Sequence, residues 1–419
     1  MTNSDLTIIG LGYVGLPLAQ QACRRGLTVV GFDTNAPVVE QLNSGHSHID
    51  DIDDDAVKVM IDQGFTASTD ASVLATTSAI VICVPTPLTE AGGPDLAAVM
   101  SATAMIRDHL EPGTVVVLES TTYPGTTEDI VRPLLEESGL VADVDFHLAY
   151  SPERIDPGNA TYGVENTPKV VGGISPASTE AAAALYGRFI DHVVQTSGTR
   201  EAEMAKLLEN TYRHVNIALV NEMAIFCHDL GVDLWESIDA ASTKPFGFQA
   251  FYPGPGVGGH CIPIDPNYLS YKVRTLGYPF RFVELAQEIS ARMPAYVVSR
   301  AMLTLNRDGK AMSSSSVLLL GVTYKKNISD ERESPAQPLA RRLIELGADV
   351  SYADPYVPSW KIDGKDVRRR EDPIDGARQA DLVILLQHHD DFDLDAIAAA
   401  SRSVLDTRGS LRGPNIDRL

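Results

Sequence analysis

Three segments carry residues whose types and spacing suit covalent and acid–base chemistry. In Phe251-Tyr-Pro-Gly-Pro-Gly-Val-Gly-Gly-His260-Cys261-Ile-Pro-Ile-Asp265 a thiol ends a glycine-rich loop, and a carboxylate follows four residues later. Glycines let a backbone approach a ligand closely, and an acid so near a thiol can orient water or tune the thiol's ionisation. A free Cys also serves as a small packing hydrophobe, so this segment alone leaves nucleophile and packing residue both open. Lys206 and Asn210 are four residues apart, which puts them on one face of a helix, with Arg213 near the same face. A Lys and an amide presented together hydrogen-bond an oxyanion as it develops; a surface Lys beside an Asn is the plain alternative. Glu153, in Tyr150-Ser-Pro-Glu153-Arg154-Ile155-Asp156-Pro157-Gly158, is a candidate general base or water-orienting carboxylate. As an isolated Glu it reads equally as a surface residue.

These groups need a scaffold, and the N-terminus supplies a recognisable one. The run Leu6-Thr-Ile-Ile-Gly10-Leu-Gly12-Tyr13-Val14-Gly15 is an apolar strand leading into GxGxxG, followed by a helical stretch to Arg25 and Gly26. A second strand, Leu27 to Asp33, ends in an acid 18 residues beyond Gly15. That order is the strand–turn–helix–strand unit that binds dinucleotides: glycines for the turn and the pyrophosphate, a helix N-terminus for the phosphates, and the acid for the adenosine ribose. Asp33 would repel a 2′-phosphate, so NAD is expected over NADP. Further strands at Ala79–Val84 and Thr114–Leu118 run into Pro85-Thr86-Pro87 and Glu119-Ser120-Thr121. Strand C-termini line the ligand crevice of an open parallel sheet. Thr86 and Thr121 are therefore candidate cofactor contacts, or ordinary helix caps.

The C-terminal part repeats the plan. Ala340, Gly347 and Asp354 fall at the same offsets as Ala19, Gly26 and Asp33, and strands are expected at Val317–Gly321, Asp381–Leu386 and Ser403–Asp406. Gly321 to Asp354 spans 33 residues against 23 for Gly10 to Asp33, and the extra length falls around Tyr324-Lys325-Lys326-Asn327 and Asp330-Glu331-Arg332-Glu333-Ser334. Cations there can hold phosphates by charge where the first copy uses backbone amides. Between the copies, apolar residues recur at helical spacing through Met204, Leu207, Leu208, Val215, Leu219 and Met223, within a mostly helical stretch from Glu201 to Asn306. The expected fold is α/β: two Rossmann-like doubly wound domains, residues 1–195 and 308–419, joined by a helical dimerisation region, residues 196–307, with Ser313–Ser316 as a linker.

Composition narrows the function classes. With 419 residues, 44% of them apolar, the chain can build several cores. A net charge of −22 disfavours nucleic acid and anionic membranes as partners. Acidic runs such as Asp50-Asp51-Ile52-Asp53-Asp54-Asp55 suit either adaptation to concentrated salt or a plain acidic surface. No apolar run is long enough for a membrane span or a secretion signal, so a cytoplasmic location is expected. The four cysteines, Cys23, Cys83, Cys227 and Cys261, lack metal-site spacing, so free thiols and no metal are expected.

Taken together, Gly10-Leu-Gly-Tyr-Val-Gly-Leu-Pro, Val84-Pro-Thr-Pro87, Glu119-Ser-Thr121, Ser151-Pro-Glu153, Glu209-Asn-Thr211, Gly258-Gly-His-Cys261 with Asp265, and Tyr324-Lys-Lys326 before Asp330-Glu-Arg-Glu-Ser334 resemble the UDP-glucose/GDP-mannose dehydrogenase family, in the family's order and across essentially the whole chain. The resemblance implies an NAD-dependent, four-electron oxidation of a sugar C6 hydroxyl to a carboxylate. Cys261 would form the thiohemiacetal and thioester, Lys206 and Asn210 would stabilise the oxyanion, and Asp265, Glu153 or Thr121 would orient water. It implies NAD contacts at Gly10, Gly12, Tyr13, Val14, Gly15, Asp33, Thr86, Thr121 and Arg332. Substrate contacts are implied at Arg154, Ile155, Lys206, Asn210, Arg213, Tyr252, Gly258, Lys325 and Arg408. Ser242-Thr-Lys-Pro-Phe-Gly-Phe248 and Phe251-Tyr-Pro-Gly-Pro-Gly256 look like the UDP-N-acetylglucosamine 6-dehydrogenase branch. Pro157 stands where UDP-glucose dehydrogenases usually carry a second Glu, and Arg154 is placed to donate to an acetamido carbonyl. Glu209-Asn-Thr-Tyr-Arg-His-Val-Asn216 also resembles UDP-N-acetylmannosamine dehydrogenases, although their His-Pro-Arg element is absent. Val38, where many members carry a basic residue near the ribose, is a further departure. A homodimer or larger homo-oligomer is expected, and a non-catalytic nucleotide-sugar-binding protein is the contrasting class, disfavoured because Cys261, Lys206, Asn210 and Asp265 are all present.

Overall fold

Short, β-branched apolar runs become strands here because helices cover both faces of each sheet, so neither face has to be polar. The computed structural model describes residues 4–89, 92–155, 161–259 and 262–419. Chain contacts divide it into two units, residues 1–209 with 267–279 and residues 210–266 with 280–419.

In the first unit β1 (Leu6–Ile9), β2 (Val29–Phe32), β3 (Thr66–Ser68), β4 (Ala79–Ile82), β5 (Val115–Leu118), β6 (His147–Tyr150), β7 (Lys169–Gly173) and β8 (Val193–Gln195) form one sheet. Their order is β3-β2-β1-β4-β5-β6-β7-β8. Neighbours run parallel except β6 and β7, which pair antiparallel. Strand order reverses between β1 and β4, the switch point outside which doubly wound sheets bind ligands. Alternate residues face opposite cores: Leu6, Ile8 and Val81 lie in one, Ile9, Ile80 and Ile82 in the other. Part of the acidic run has a local structural use. Asp53 caps helix Asp54–Asp62 by accepting from the Ala56 N–H at 2.7 Å, and Asp54 and Asp55 sit in its first turn, where the helix dipole favours negative charge.

In the second unit β9 (Ser316–Leu320), β10 (Asp349–Ala353), β13 (Arg368–Arg369), β14 (Leu382–Leu385), β15 (Val404–Asp406) and β16 (Ile416–Arg418) form a wholly parallel sheet in the order β13-β10-β9-β14-β15-β16. A small hairpin, β11 (Lys361–Ile362) with β12 (Lys365–Asp366), precedes β13. Helix Arg281–Arg307 buries Met293, Val297, Ala301 and Leu305 in the same core as Val317 and Leu319, while Leu318 and Leu320 face the opposite core. The expected serine linker is a single 3₁₀ turn, Met312–Ser314, and Ser316 already belongs to β9.

The α/β class, with parallel Rossmann-like sheets toward both ends and a helical middle, is as the sequence reading expected. The middle holds helices Thr199–Leu230, Leu234–Ser242, Asp265–Thr275 and Arg281–Arg307, with irregular chain over residues 243–259 and a turn over 262–264. Among the described residues no helix is long and apolar enough to cross a membrane, and no cluster of His, Cys, Asp and Glu could hold a metal.

Candidate active site

The glycine motif of the first unit is crowded at its ends and open in its middle. A Cβ on Gly10 would lie 2.7 Å from the Cys83 carbonyl oxygen, and the backbone there has a φ of +92°, which glycine adopts readily. A Cβ on Gly15 would lie 1.9 Å from the Gly10 carbonyl oxygen, whereas one on Gly12 would meet nothing within 4 Å. Val14, at the N-cap of helix Gly15–Arg24, has no side-chain acceptor to cap the helix. Asp33, just past β2, accepts from the Leu11 and Asn35 N–H groups, both at 2.9 Å, and remains partly exposed. Tyr13 is exposed beside the motif, and Val38 packs at the edge of the core. Thr86 is buried, its carbonyl accepting from the Tyr268 hydroxyl, and Thr121 is half-buried beyond β5.

Past the C-terminal ends of β5 and β6, at the start of the antiparallel β7, lies a polar cluster. Glu153 follows β6, and its carboxylate accepts from the Ile155 N–H while its carbonyl accepts from Lys206 Nζ at 2.5 Å. Arg154 Nη1 donates to the Pro168 carbonyl at 2.6 Å, and its Nη2 and Nε meet Glu209 at 2.8 and 3.4 Å, so all three of its guanidinium nitrogens serve the fold. Beneath them, Lys169 pairs with Glu119 at 2.8 Å with both side chains buried, and the Tyr186 hydroxyl donates to the same Glu119 oxygen. Burial pushes the Glu119 carboxyl up against the pull of Lys169; burial of Lys169 is outweighed by Glu119 and Glu153, so its ammonium is held above its ordinary range. The Cys83 thiol is raised well above its usual value by burial and then by Glu119, and burial takes Cys23 to about 12. Both are protonated packing thiols. Sequence reading missed Lys169, Tyr186 and the carboxylate role of Glu119. The β6–β7 register would have found Lys169: Tyr150 pairs with Gly172, so continuing the register sets Lys169 across from Glu153.

In the second unit Asn210 Nδ2 donates to Asp265 Oδ2 at 2.6 Å, and both residues are buried. Lys206 and Asn210 lie one turn apart on helix Thr199–Leu230, 7% and 5% exposed; Arg213 is exposed. The glycine loop serves packing as well as approach. Cβ atoms on Gly258 and Gly259 would each fall 2.7 Å from the Tyr324 side chain, and the Gly259 N–H donates to the Arg332 carbonyl at 3.3 Å. The Arg332 side chain is held by Asp330 at 2.7 Å, and Lys325 is half-buried next to Tyr324. Arg408 Nε donates to the Leu386 carbonyl at 2.6 Å, and burial lowers its guanidinium to about 10 despite Asp406. Its tip would be 2.9 Å from a Cβ on Gly254, whose N–H donates to Asn221 Oδ1 at 2.9 Å. Tyr252 is exposed and donates to Asp239 at 2.8 Å. Cys261 and Pro157 lie outside the described residues.

Known proteins match the chain over nearly its whole length. The NAD-binding domain of the UDP-glucose/GDP-mannose dehydrogenase family matches residues 4–190, its central domain 200–292 and its UDP-binding domain 318–413. The chain belongs to the UDP-glucose/GDP-mannose dehydrogenase family. It is 34% identical to the UDP-N-acetyl-D-mannosamine dehydrogenase of Methanococcus maripaludis, over 97% of this chain and 93% of that one. It is 37% identical to the UDP-N-acetyl-D-glucosamine 6-dehydrogenase of Pseudomonas aeruginosa, over 85% of this chain and 84% of that one. The solved UDP-D-ManNAc dehydrogenase of Pyrococcus horikoshii superposes with a TM-score of 0.89 at 31% identity, covering 99% of this chain and 98% of that one.

As a member of this family the chain is an NAD-dependent nucleotide-sugar dehydrogenase, and its first unit fits that cofactor. The fold itself requires glycine at 10 and 15, but among the described residues nothing lies within 4 Å of a Cβ at position 12, which would leave room for a pyrophosphate. Asp33, tied by two backbone N–H groups, retains lone pairs for ribose hydroxyls and would repel a 2′-phosphate.

Proposed function

We propose that this dehydrogenase oxidises the C6 hydroxyl of UDP-N-acetylglucosamine to the uronate in two steps, supplying uronates for a glycan or surface polysaccharide. Lys206 and Asn210 carry this reading. An ammonium and an amide buried one turn apart, each with one oxygen partner among the described residues, are costly to bury unless their remaining donors meet oxygen. Their donors suit the C6 oxygen as it gains charge. When bound, NAD accepts hydride, once from the alcohol and once from the thiohemiacetal.

The chain's own groups do the rest. Removal of the hydroxyl proton accompanies the first oxidation, giving an aldehyde. The Cys261 thiolate then adds to the carbonyl carbon, forming a C–S bond, and the oxygen is protonated; this hold keeps the aldehyde from escaping. After the second oxidation the adduct is a thioester. Glu153, Asp265 or Thr121 directs water at its carbon, the C–S bond breaks, and thiolate and uronate separate. Lys325 and Arg408 would carry the UDP phosphates and nucleotide, with Arg213, Tyr252 and Gly258 along the same substrate path, Ile155 beside the sugar, and Arg332 reaching the cofactor. Arg154 keeps guanidinium donors beyond those given to Pro168 and Glu209, enough to reach an acetamido carbonyl.

Relatives named for UDP-N-acetylmannosamine, matched over 97% of this chain, favour the C2 epimer as the second reading. NADH release measured with UDP-N-acetylglucosamine, UDP-N-acetylmannosamine, UDP-glucose and UDP-galactose decides between them; no turnover of either acetamido sugar sinks the substrate assignment. Cys261→Ser should bind NAD normally and form uronate at least about a thousandfold more slowly. We also infer a homodimer through the helical middle, residues 196–307, between NAD-binding residues 1–195 and UDP-sugar-binding residues 308–419. Leu208, Tyr212, Leu219, Phe226 and Leu230 are exposed on helix Thr199–Leu230, a stripe a second copy would cover. Light scattering should report a dimer, and Leu219→Lys a larger monomer fraction.

A further inference from the structure

A buried imidazole in the second unit has no part in the chemistry above. His389 lies beyond β14, is 0% exposed, and packs between Tyr356, tilted at 49°, and Phe392, edge-on at 72°, with ring centroids 5.0 and 5.4 Å away. Its Nδ1 accepts from the Asn327 N–H at 2.9 Å, so the ring proton is on Nε2. Nε2 faces Asp354 Oδ2 at 3.1 Å and Thr323 Oγ1 at 3.3 Å, and the Thr323 hydroxyl donates to the Lys325 carbonyl at 2.7 Å.

The neighbours of His389 in sequence grip the same turn. Gln387 Nε2 donates to the Tyr324 carbonyl at 2.9 Å, and the Asp390 N–H donates to Asn327 Oδ1 at 2.9 Å. Asn327 Nδ2 donates to Asp390 Oδ2 at 2.5 Å. Asn327 itself has a φ of +60°, a left-handed conformation that a residue other than glycine holds only when its surroundings impose it. The turn 323–327 is thus clamped along its length by the segment after β14, and His389, 0% exposed, holds it at Asn327. Lys325 stands in the middle of that turn.

We propose that His389 is a positioning residue for nucleotide-sugar binding: in its neutral Nε2–H form it fixes the backbone at Asn327, and so sets where the Lys325 ammonium meets the substrate's phosphates. The role of Lys325 rests on the functional reading above. Titration of the full-length protein with UDP tests the clamp independently of turnover. His389→Gln, which loses the Nδ1 acceptor, should bind UDP roughly tenfold more weakly, the worth of one lost hydrogen bond. The KM for the nucleotide sugar should rise by the same factor, with NAD affinity and kcat at saturation unchanged. His389→Asn, whose Oδ1 can accept from the Asn327 N–H near the same place, should recover most of the loss; a residue that only stabilises the fold would show no such KM-against-kcat split and no rescue. Should the Gln variant fail to fold, hydrogen exchange on the wild-type protein decides, with the Asn327 amide expected to be protected. UDP affinity within twofold of wild type in a folded His389→Gln, a freely exchanging Asn327 amide, or a wild-type protein that binds no UDP overturns the proposal. Turnover of no UDP-sugar alongside normal UDP binding would remove the functional reading and leave the clamp standing.

Discussion

The two sheets solve the same local problem and then diverge at one atom. Asp33 and Asp354 each follow the strand beside the first strand of their sheet, and each accepts from the backbone N–H just after that first strand's glycine: Leu11 at 2.9 Å in one unit, Val322 at 2.7 Å in the other. Each also accepts from the N–H two residues on, Asn35 at 2.9 Å and Tyr356 at 2.8 Å. The turn glycines match as well. A Cβ on Gly10 would lie 2.7 Å from the Cys83 carbonyl and one on Gly321 2.4 Å from the Gln387 carbonyl, and both glycines have positive φ. Asp33, however, stays partly exposed, whereas Asp354 is 3% exposed with His389 seated on it. Burial alone would raise Asp354, but His389 and its two backbone donors hold it below the usual range. One carboxylate keeps an accessible face and the other is consumed by the protein, so the repeat preserves a fold device while changing what that device leaves open.

The largest effect should come from the glycines. Gly15→Ala forces a methyl into the Gly10 carbonyl and should cost about 3 kcal/mol or more. Gly12→Ala meets no atom of the described residues within 4 Å, so its unfolding free energy should stay within about 0.5 kcal/mol of wild type while NAD affinity drops. Equal destabilisation by the two would erase the distinction between fold glycine and ligand glycine. Next come two buried groups on helix Thr199–Leu230 with opposite pH responses. Burial lowers His214 to about 4 from the ordinary 6.5, so the unfolded chain binds its proton first and stability falls as pH drops through that window, by about 2 kcal/mol at pH 5. In the first unit, burial raises Glu203 to about 7 from 4.5, against hydrogen bonds from the Gly125 and Thr127 N–H groups and the Thr127 hydroxyl. The folded state then binds its proton first, and stability rises by a similar amount as pH falls from 7 toward 4.5. Urea denaturation at pH 7 and 5 should find His214→Gln more acid-tolerant than wild type and Glu203→Gln less. Identical pH dependence in all three proteins would remove both assignments. The smallest effect separates the two aspartates directly: Asp33→Asn should weaken NAD about tenfold with UDP binding intact, and Asp354→Asn should leave NAD affinity alone. Titration calorimetry with each ligand reads both.

Local patterns in the sequence were legible, and contacts between distant segments were not. GxGxxG followed by Asp33, and its echo ending in Asp354, are short-range spacings tied to backbone geometry, and they yielded both sheets. Lys206 and Asn210 follow from helical periodicity alone. Arg213 also satisfied that periodicity approximately, yet it is exposed while His214 takes the buried position. Near-equivalent helical offsets do not say which side of a stripe is covered. Gly258 and Gly259 were read as making room for a ligand, but Tyr324 fills much of that room, and it lies more than sixty residues away in sequence. Lys169 and His389 had no local signal, because each owes its meaning to strand register or to a turn brought in from another segment.

The contact boundary between the units falls at Glu209 and Asn210, inside the unbroken helix Thr199–Leu230. The interval between Lys206 and Asn210 is therefore set by the helical backbone ladder, about 6 Å along the axis, and not by how loops or side chains pack around it. The helix acts as a ruler for the two donors that would share one oxygen. Inserting a single alanine between them would turn the second donor by about 100° without altering either residue, and an enzyme so lengthened would keep every group named above and lose the spacing that the proposed shared oxygen requires.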